Sequence, residues 1–223
     1  MKLFLLSLTL LLVHTSFSQV RLGFFAGPQA TTAAYKVSGI KQDNSFKYGL
    51  QAGATLKVPF ENRLYFSPSV FYSYKGYKVK YSASSSLPDY SATDNNISFH
   101  SVEVAFLLQH DFKIEPGHFF IKIGPSLDFA LFGKEKFNTN SGSSVSRDMK
   151  FGFADYGHYL ANAIAQFGYE SVGGVFFYAN YEYGLTNMSN RDNDGPTIGN
   201  RVIGITIGKF LNSKIVIDTK NKQ

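Results

Sequence analysis

Strict alternation of side-chain character constrains this chain more than any other feature. VFFYANYEYGL, Val175 to Leu185, sorts by alternate residue into two lists. Val175, Phe177, Ala179, Tyr181, Tyr183 and Leu185 form an apolar face with tyrosines. Phe176, Tyr178, Asn180, Glu182 and Gly184 form a mixed face with a carboxylate. A period of two is the signature of a β-strand with unlike faces. The pattern recurs in FFIKIGPSLDFALF, where Phe119, Ile121, Ile123, Pro125, Leu127, Phe129 and Leu131 oppose Phe120, Lys122, Gly124, Ser126, Asp128, Ala130 and Phe132. Eight strands are expected: Arg21–Ala30, Lys47–Val58, Leu64–Lys78, Ser98–Lys113, Phe119–Gly133, Gly157–Tyr169, Val175–Met188 and Arg201–Leu211.

The connections alternate in length. PFENR, IEPGH and ESVGG are short turns, whereas Thr31–Phe46, Val79–Ile97, Lys134–Tyr156 and Ser189–Asn200 are long and rich in Ser, Asn, Asp and Gly. Long loops thus gather at one end and are expected to be exposed and mobile. An even number of up-and-down strands with this alternation fits an outer-membrane barrel. A soluble lipocalin-like barrel that binds apolar ligands alternates too, but turns its apolar face inward.

The second face separates the two. A water-facing surface would carry many Lys and Glu. Instead it holds Phe120, Phe132, Phe176 and Tyr178, with glycines at Gly49, Gly53, Gly204 and Gly208 and isolated charges at Glu103, Lys122, Asp128 and Glu182. That is the make-up of a crowded interior in which single charges pair, so these four are the expected polar residues of the lumen. Tyrosines near the strand ends of the apolar faces suit the headgroup level of a bilayer. The apolar face of VFFYANYEYGL is therefore read as lipid-facing.

The N-terminus places the chain in the cell envelope. Lys2 precedes LFLLSLTLLLV, and then comes HTSFSQ, with Ser16 and Ser18 as small residues. This is the order of a secretory signal peptide over 1–18, with cleavage expected between Ser18 and Gln19. The barrel is expected over 19–211, followed by a basic tail over 212–223 with a short strand at Lys214–Asp218. There is no cysteine, so neither a disulfide nor a lipidated N-terminal cysteine is available. Past Val13 no apolar run is long enough for a spanning helix, and any crossing must use strands. The net charge is +6, but the basic residues form no run, which argues against nucleic acid as a partner.

The chain resembles the PorT-like outer-membrane β-barrel family of Bacteroidetes. The carriers are RLGFFAGPQ, YGLQAGATLKVPF, LYFSPSVFYSYKGYKV, HSVEVAFLLQHDF, FFIKIGPSL, YANYEYGLTNMS and IGITIGKF. This chain departs from the family at Ser69, where a carboxylate is usual, and at Ala105 and Phe106, where a proline is favoured. The resemblance implies an eight-stranded barrel in the outer membrane of a diderm bacterium, with both termini in the periplasm. It also implies outer-membrane lipid as surroundings, and envelope or secretion-complex proteins as partners.

Chemistry is sparsely signalled, and no cofactor is expected. His158 follows Asp155 at the expected outer end of a strand, near Ser143, Ser144 and Ser146, which makes it a weak catalytic candidate for an envelope-lipid hydrolase or acyltransferase. No G-x-S-x-G element marks a nucleophile. The spacing of the other histidines matches no metal site. RDNDGPTIGN opens like a calcium loop but lacks its closing glutamate. A non-enzymatic barrel with a structural, binding or accessory role is the expectation.

Overall fold

The computed structural model describes residues 20–115, 117–191 and 195–211. The expected signal peptide, the cleavage site at Ser18 and Gln19, the tail and its short strand lie outside the described residues. So does the Asp-Asn-Asp segment at 192–194.

The strands are β1 (Arg21–Val37), β2 (Ile40–Lys41), β3 (Asp43–Ser45), β4 (Lys47–Glu61), β5 (Leu64–Lys80), β6 (Asp94–Asp111), β7 (His118–Asn138), β8 (Ser144–Asp148), β9 (Tyr159–Glu170), β10 (Val175–Gly184) and β11 (Thr197–Phe210). Eight of them form the wall in the order β1-β4-β5-β6-β7-β9-β10-β11, and β11 pairs back onto β1. That last pairing runs antiparallel from Gly23↔Phe210 to Lys36↔Thr197 and closes the sheet. The fold is an all-β, eight-stranded, antiparallel up-and-down barrel. β2, β3 and β8 are short strands added at the long-loop end.

The faces point as the alternation predicts. Phe176, Tyr178, Asn180 and Glu182 are buried, while Val175, Phe177, Tyr181 and Tyr183 are exposed. The same holds on β11, where Ile203, Ile205 and Ile207 stand out and Val202 and Thr206 are buried. On that outer face Arg201 and Lys209 bracket the isoleucines. Eight residues at about 3.4 Å each give about 27 Å along the strand. A tilt of roughly 40° reduces this to about 21 Å, which fits inside the ~25 Å height of an apolar membrane band. A continuous belt of exposed Ile, Leu, Phe and Val is unstable against water, and lipid is the medium that satisfies it. Among the described residues no helix is long and apolar enough to cross a membrane.

Three expectations need correction. Phe132 is not in the lumen; it is 60% exposed on the outer wall. A register shift opposite His100 and Ser101 inserts an extra residue in β7, and a bulge inverts the alternation beyond it. Leu131 and Phe132 therefore both face out, and Glu135 and Phe137 turn in.

Second, the long connections are not simply exposed. β1 continues to Val37, β5 to Lys80 and β7 to Asn138, so the wall projects well beyond the apolar belt. Tyr35, Tyr77, Val79, Ile97, Phe99 and Met188 pack as a hydrophobic core inside that projection. Loop 81–93 folds into its mouth. Leu87 is buried, and its carbonyl accepts from Tyr35 Oη at 2.8 Å and Tyr81 Oη at 3.0 Å. The Ser and Asn content reflects the turns and the wet outer face, while the alternate residues remain apolar. Third, Glu170 and His118 are not turn residues but the last of β9 and the first of β7, both buried.

Replacing Ile205, midway along the outer face of β11, with Arg is expected to cost about 2–4 kcal/mol in barrel stability, the cost of an arginine facing lipid at mid-depth. Urea unfolding of the liposome-embedded protein measures this. A neutral outcome would mean that the face meets water.

Candidate functional site

The lumen is filled in layers rather than open. At the short-turn end Lys57 Nζ donates to Asp111 Oδ2 at 2.6 Å and Glu170 Oε2 at 2.8 Å. Arg21 also pairs with Glu170, and Gln109 donates to Asp111 Oδ1 at 2.6 Å. His118 Nε2 lies 2.9 Å from Asp111 Oδ2, and its Nδ1 lies 3.0 Å from the Glu115 carbonyl.

An aromatic layer follows. Phe25, Phe71, Phe120, Phe176, Tyr178 and Phe210 fill the cross-section together. Phe176 needs Gly208 opposite it, because a Cβ there would lie 2.3 Å from its ring. Lys122 stands inside this layer, 2% exposed. Its Nζ donates to Ser67 Oγ at 3.1 Å and sits 5.3 to 5.9 Å from the ring centroids of Phe120, Phe176 and Tyr178. Ring faces are negative, so they offset part of the burial cost of the ammonium. Above it, Gln51 reaches across Gly27 to Thr206 Oγ1 at 2.7 Å and Asn180 Oδ1 at 3.0 Å.

The central ionic layer comes next. Lys75 Nζ donates to Glu103 Oε2 at 2.8 Å, Asp128 Oδ2 at 2.9 Å and Glu182 Oε1 at 2.7 Å. All four groups are buried. An ammonium has three protons, and here each meets a carboxylate. Ser126 and Asn162 support Glu103 Oε1. The three carboxylates have oxygens within 4.8 Å of one another, a spacing that suits a cation. The ammonium of Lys75 occupies that role.

The structure thus brings together three of the four expected lumen charges, Glu103, Asp128 and Glu182, and keeps Lys122 apart in the aromatic layer. Sequence reasoning missed Lys75, Lys57, Asp111 and Glu170. A signal existed for Lys75, which shares its parity with Ser67, Ser69 and Ser73 on β5. At the far end Glu135 takes Arg147 Nε at 2.6 Å and Tyr156 Oη at 3.0 Å. Burial holds the Tyr156 hydroxyl well above its usual range, so it stays a donor.

His158 does not assemble a catalytic group. It precedes β9, is exposed, and stacks on Phe151 with centroids 4.6 Å apart. Its Nδ1 donates to the Ala130 carbonyl at 2.7 Å. Among the described residues no serine hydroxyl and no carboxylate hydrogen-bonds to its ring.

The family model described as outer membrane protein beta-barrel domain matches residues 11–190. The chain belongs to this family. It is an outer-membrane protein, and the apolar belt is its lipid-facing surface. No curated protein matches the sequence. Solved structures with a similar course include the attachment invasion locus protein Ail of Yersinia pestis, at 17% identity and TM-score 0.40, covering 85% of this chain and 98% of that one. Neisserial surface protein A gives 13% identity and TM-score 0.41, covering 83% and 96%. OprG of Pseudomonas aeruginosa gives 14% identity and TM-score 0.42, covering 86% and 94%.

Lys75→Met is expected to destabilise the barrel by about 3–5 kcal/mol, because it strands buried carboxylates without their cation. Adding Glu103→Gln and Glu182→Gln to Lys75→Met should recover part of the loss. Urea midpoints in liposomes for the three forms check this, and equal midpoints would show that the layer does not hold the barrel together.

Proposed function

We propose that this protein is a non-enzymatic outer-membrane barrel that works as a binding or accessory scaffold of the cell envelope. The observation that carries this reading is the filled lumen. An ionic cluster, an aromatic layer, the Lys75 layer and a capped apolar core block it in succession. Such a barrel offers no path for a solute, so its working parts are its surfaces. The long-loop end, with projecting strands and an ordered cap, is the outward one in this reading. The finer placement among PorT-like proteins, and with it an accessory role in secretion, rests on the sequence resemblance.

A rim enzyme is the less favoured reading, given the surroundings of His158. On the scaffold reading, His158→Ala leaves the envelope-lipid profile of a producing strain unchanged.

Conductance is the direct test. Purified protein in a planar bilayer should give no resolved current steps. Steady single-channel openings in wild-type protein would sink the scaffold reading.

A further inference from the structure

The outer wall of the projection carries a feature that the filled lumen does not explain. Outward-facing residues of β5, β6, β7 and β8 line up in rungs through the strand register. The lowest rung is aromatic: Tyr74, His100 and Phe132. His100 stacks on Phe132 with centroids 4.5 Å apart, faces Tyr74 at 4.8 Å and hydrogen-bonds Tyr72 Oη. The next rung is Ser98, Lys134 and Asp148, and the one beyond is Ser45, Lys78, Asn96, Lys136 and Ser146. Lys47 crosses the bare surface of Gly76, and its Nζ donates to Asn96 Oδ1 at 2.7 Å and the Ile97 carbonyl at 2.9 Å.

The depth of these rungs fits a headgroup layer. Each two-residue step along a tilted strand rises about 5 Å along the membrane normal. The lysines therefore stand about 5 to 10 Å beyond the aromatic rung, within the polar zone that flanks the hydrocarbon core. Their charge is only partly offset, although Lys47 is hydrogen-bonded to Asn96, Ile97 and Ser98. Lys47, Lys78, Lys80, Lys134 and Lys136 face Asp43, Asp94 and Asp148, yet none of these five lysines has a carboxylate within 4 Å among the described residues. Asp94 is instead held by the Asn138 amide N at 2.9 Å and Nδ2 at 2.7 Å.

Two hollows shape this wall. One of about 470 Å³ is lined by Tyr74, His100, Phe132, Lys134, Met149 and Phe151. The other, of about 540 Å³, is lined by residues that include Lys78, Lys80 and Lys136, the amides of Asn96 and Asn138, and the carboxylates of Asp43 and Asp94. The first is largely apolar and aromatic, with Lys134 and Asp148 also in its lining; the second carries three lysines against two aspartates, a net positive charge, with amides between the lysines. A single phosphate is far smaller than the second hollow. Lys78 and Lys136 are two strands apart, about 9.6 Å, which suits separate anionic groups on one molecule. Interleaved amides suit sugar hydroxyls.

We propose that this wall binds a phosphorylated glycolipid of the outer leaflet, with an acyl chain against the aromatic hollow and phosphate groups on the lysine rungs. This rests on the reading that the long-loop end faces outward. The barrel would then hold its own annular lipid at a fixed place on its rim.

The test uses purified, folded protein in detergent and bisphosphorylated lipid A as the probe, with binding read by native mass spectrometry. A variant combining Lys78→Gln, Lys134→Gln and Lys136→Gln should bind about a hundredfold more weakly, near fivefold per lysine. Its unboiled gel mobility reports that it is folded. The corresponding arginine variant should retain binding, and Lys36→Gln with Lys41→Gln elsewhere on the rim should leave it unchanged. Equal binding by the folded glutamine variant would overturn the proposal. So would equal binding of dephosphorylated lipid A or of phosphatidylglycerol. Orientation is tested separately by an epitope inserted at Gly142 and probed on intact cells. Failure to label it would overturn the outward assignment while leaving the lipid-binding result in detergent to stand.

Discussion

Everything in this barrel depends on one hydrogen-bonded seam, the pairing of β1 with β11. In hydrocarbon a free strand edge would expose a row of unpaired N–H and C=O groups, each costing several kcal/mol. The seam removes both edges at once. It requires the first and last strands to run antiparallel, which an up-and-down sheet achieves only with an even strand number. With eight strands the lumen is narrow enough for side chains to meet across it. The filled interior is thus a consequence of closure as much as of composition.

How that interior is filled then determines which strands face each other. Lys75 on β5 reaches Glu103 on β6, Asp128 on β7 and Glu182 on β10. β5 and β10 are not neighbours in the wall. Lys57 on β4 likewise reaches Glu170 on β9. Burying charges is costly, and apolar substitutes of equal volume often stabilise as well. An apolar filling, however, tolerates sliding, whereas a lysine with three fixed partners does not. A one-residue slip would turn the whole set of a strand outward. The ionic layers act here as registration points across the lumen, and the aromatic layer between them supplies volume.

The sequence carried the period-two pattern, so strand number, order of turns and face orientation were legible, and so was the inward placement of Glu103, Lys122, Asp128 and Glu182. Three things were not. The β7 bulge changes parity without any special residue type, since Leu131-Phe132 reads as two more members of an apolar strand; only the partner strand shows the shift. The partners of the lumen charges come from strands distant in sequence, so Lys75 carried no local sign of its three carboxylates. The projecting core at Tyr35, Tyr77 and Met188 was hidden by serines and asparagines that occupy the turns and the opposite face. Local composition reports the wet side of a strand as readily as the dry one.

The two ends of the barrel are built for different work. At the short-turn end the chain turns tightly, and the nearest interior layer is a cluster of paired charges. Nothing beyond closure is needed to explain it. At the other end β1, β5, β6 and β7 run past the apolar belt, acquire β2, β3 and β8, and enclose a second hydrophobic core under loop 81–93. Closure of the membrane span does not require these residues, because the ionic and aromatic layers already block the lumen. Ordering a backbone costs about 1–2 kcal/mol per residue, so a projection of this size persists only because its own core stabilises it. A barrel of minimal strand length with flexible loops would seal the membrane equally well. The ordered projection, with its aromatic rung and only partly offset lysines on the outer wall, is therefore the part of the structure that function must account for.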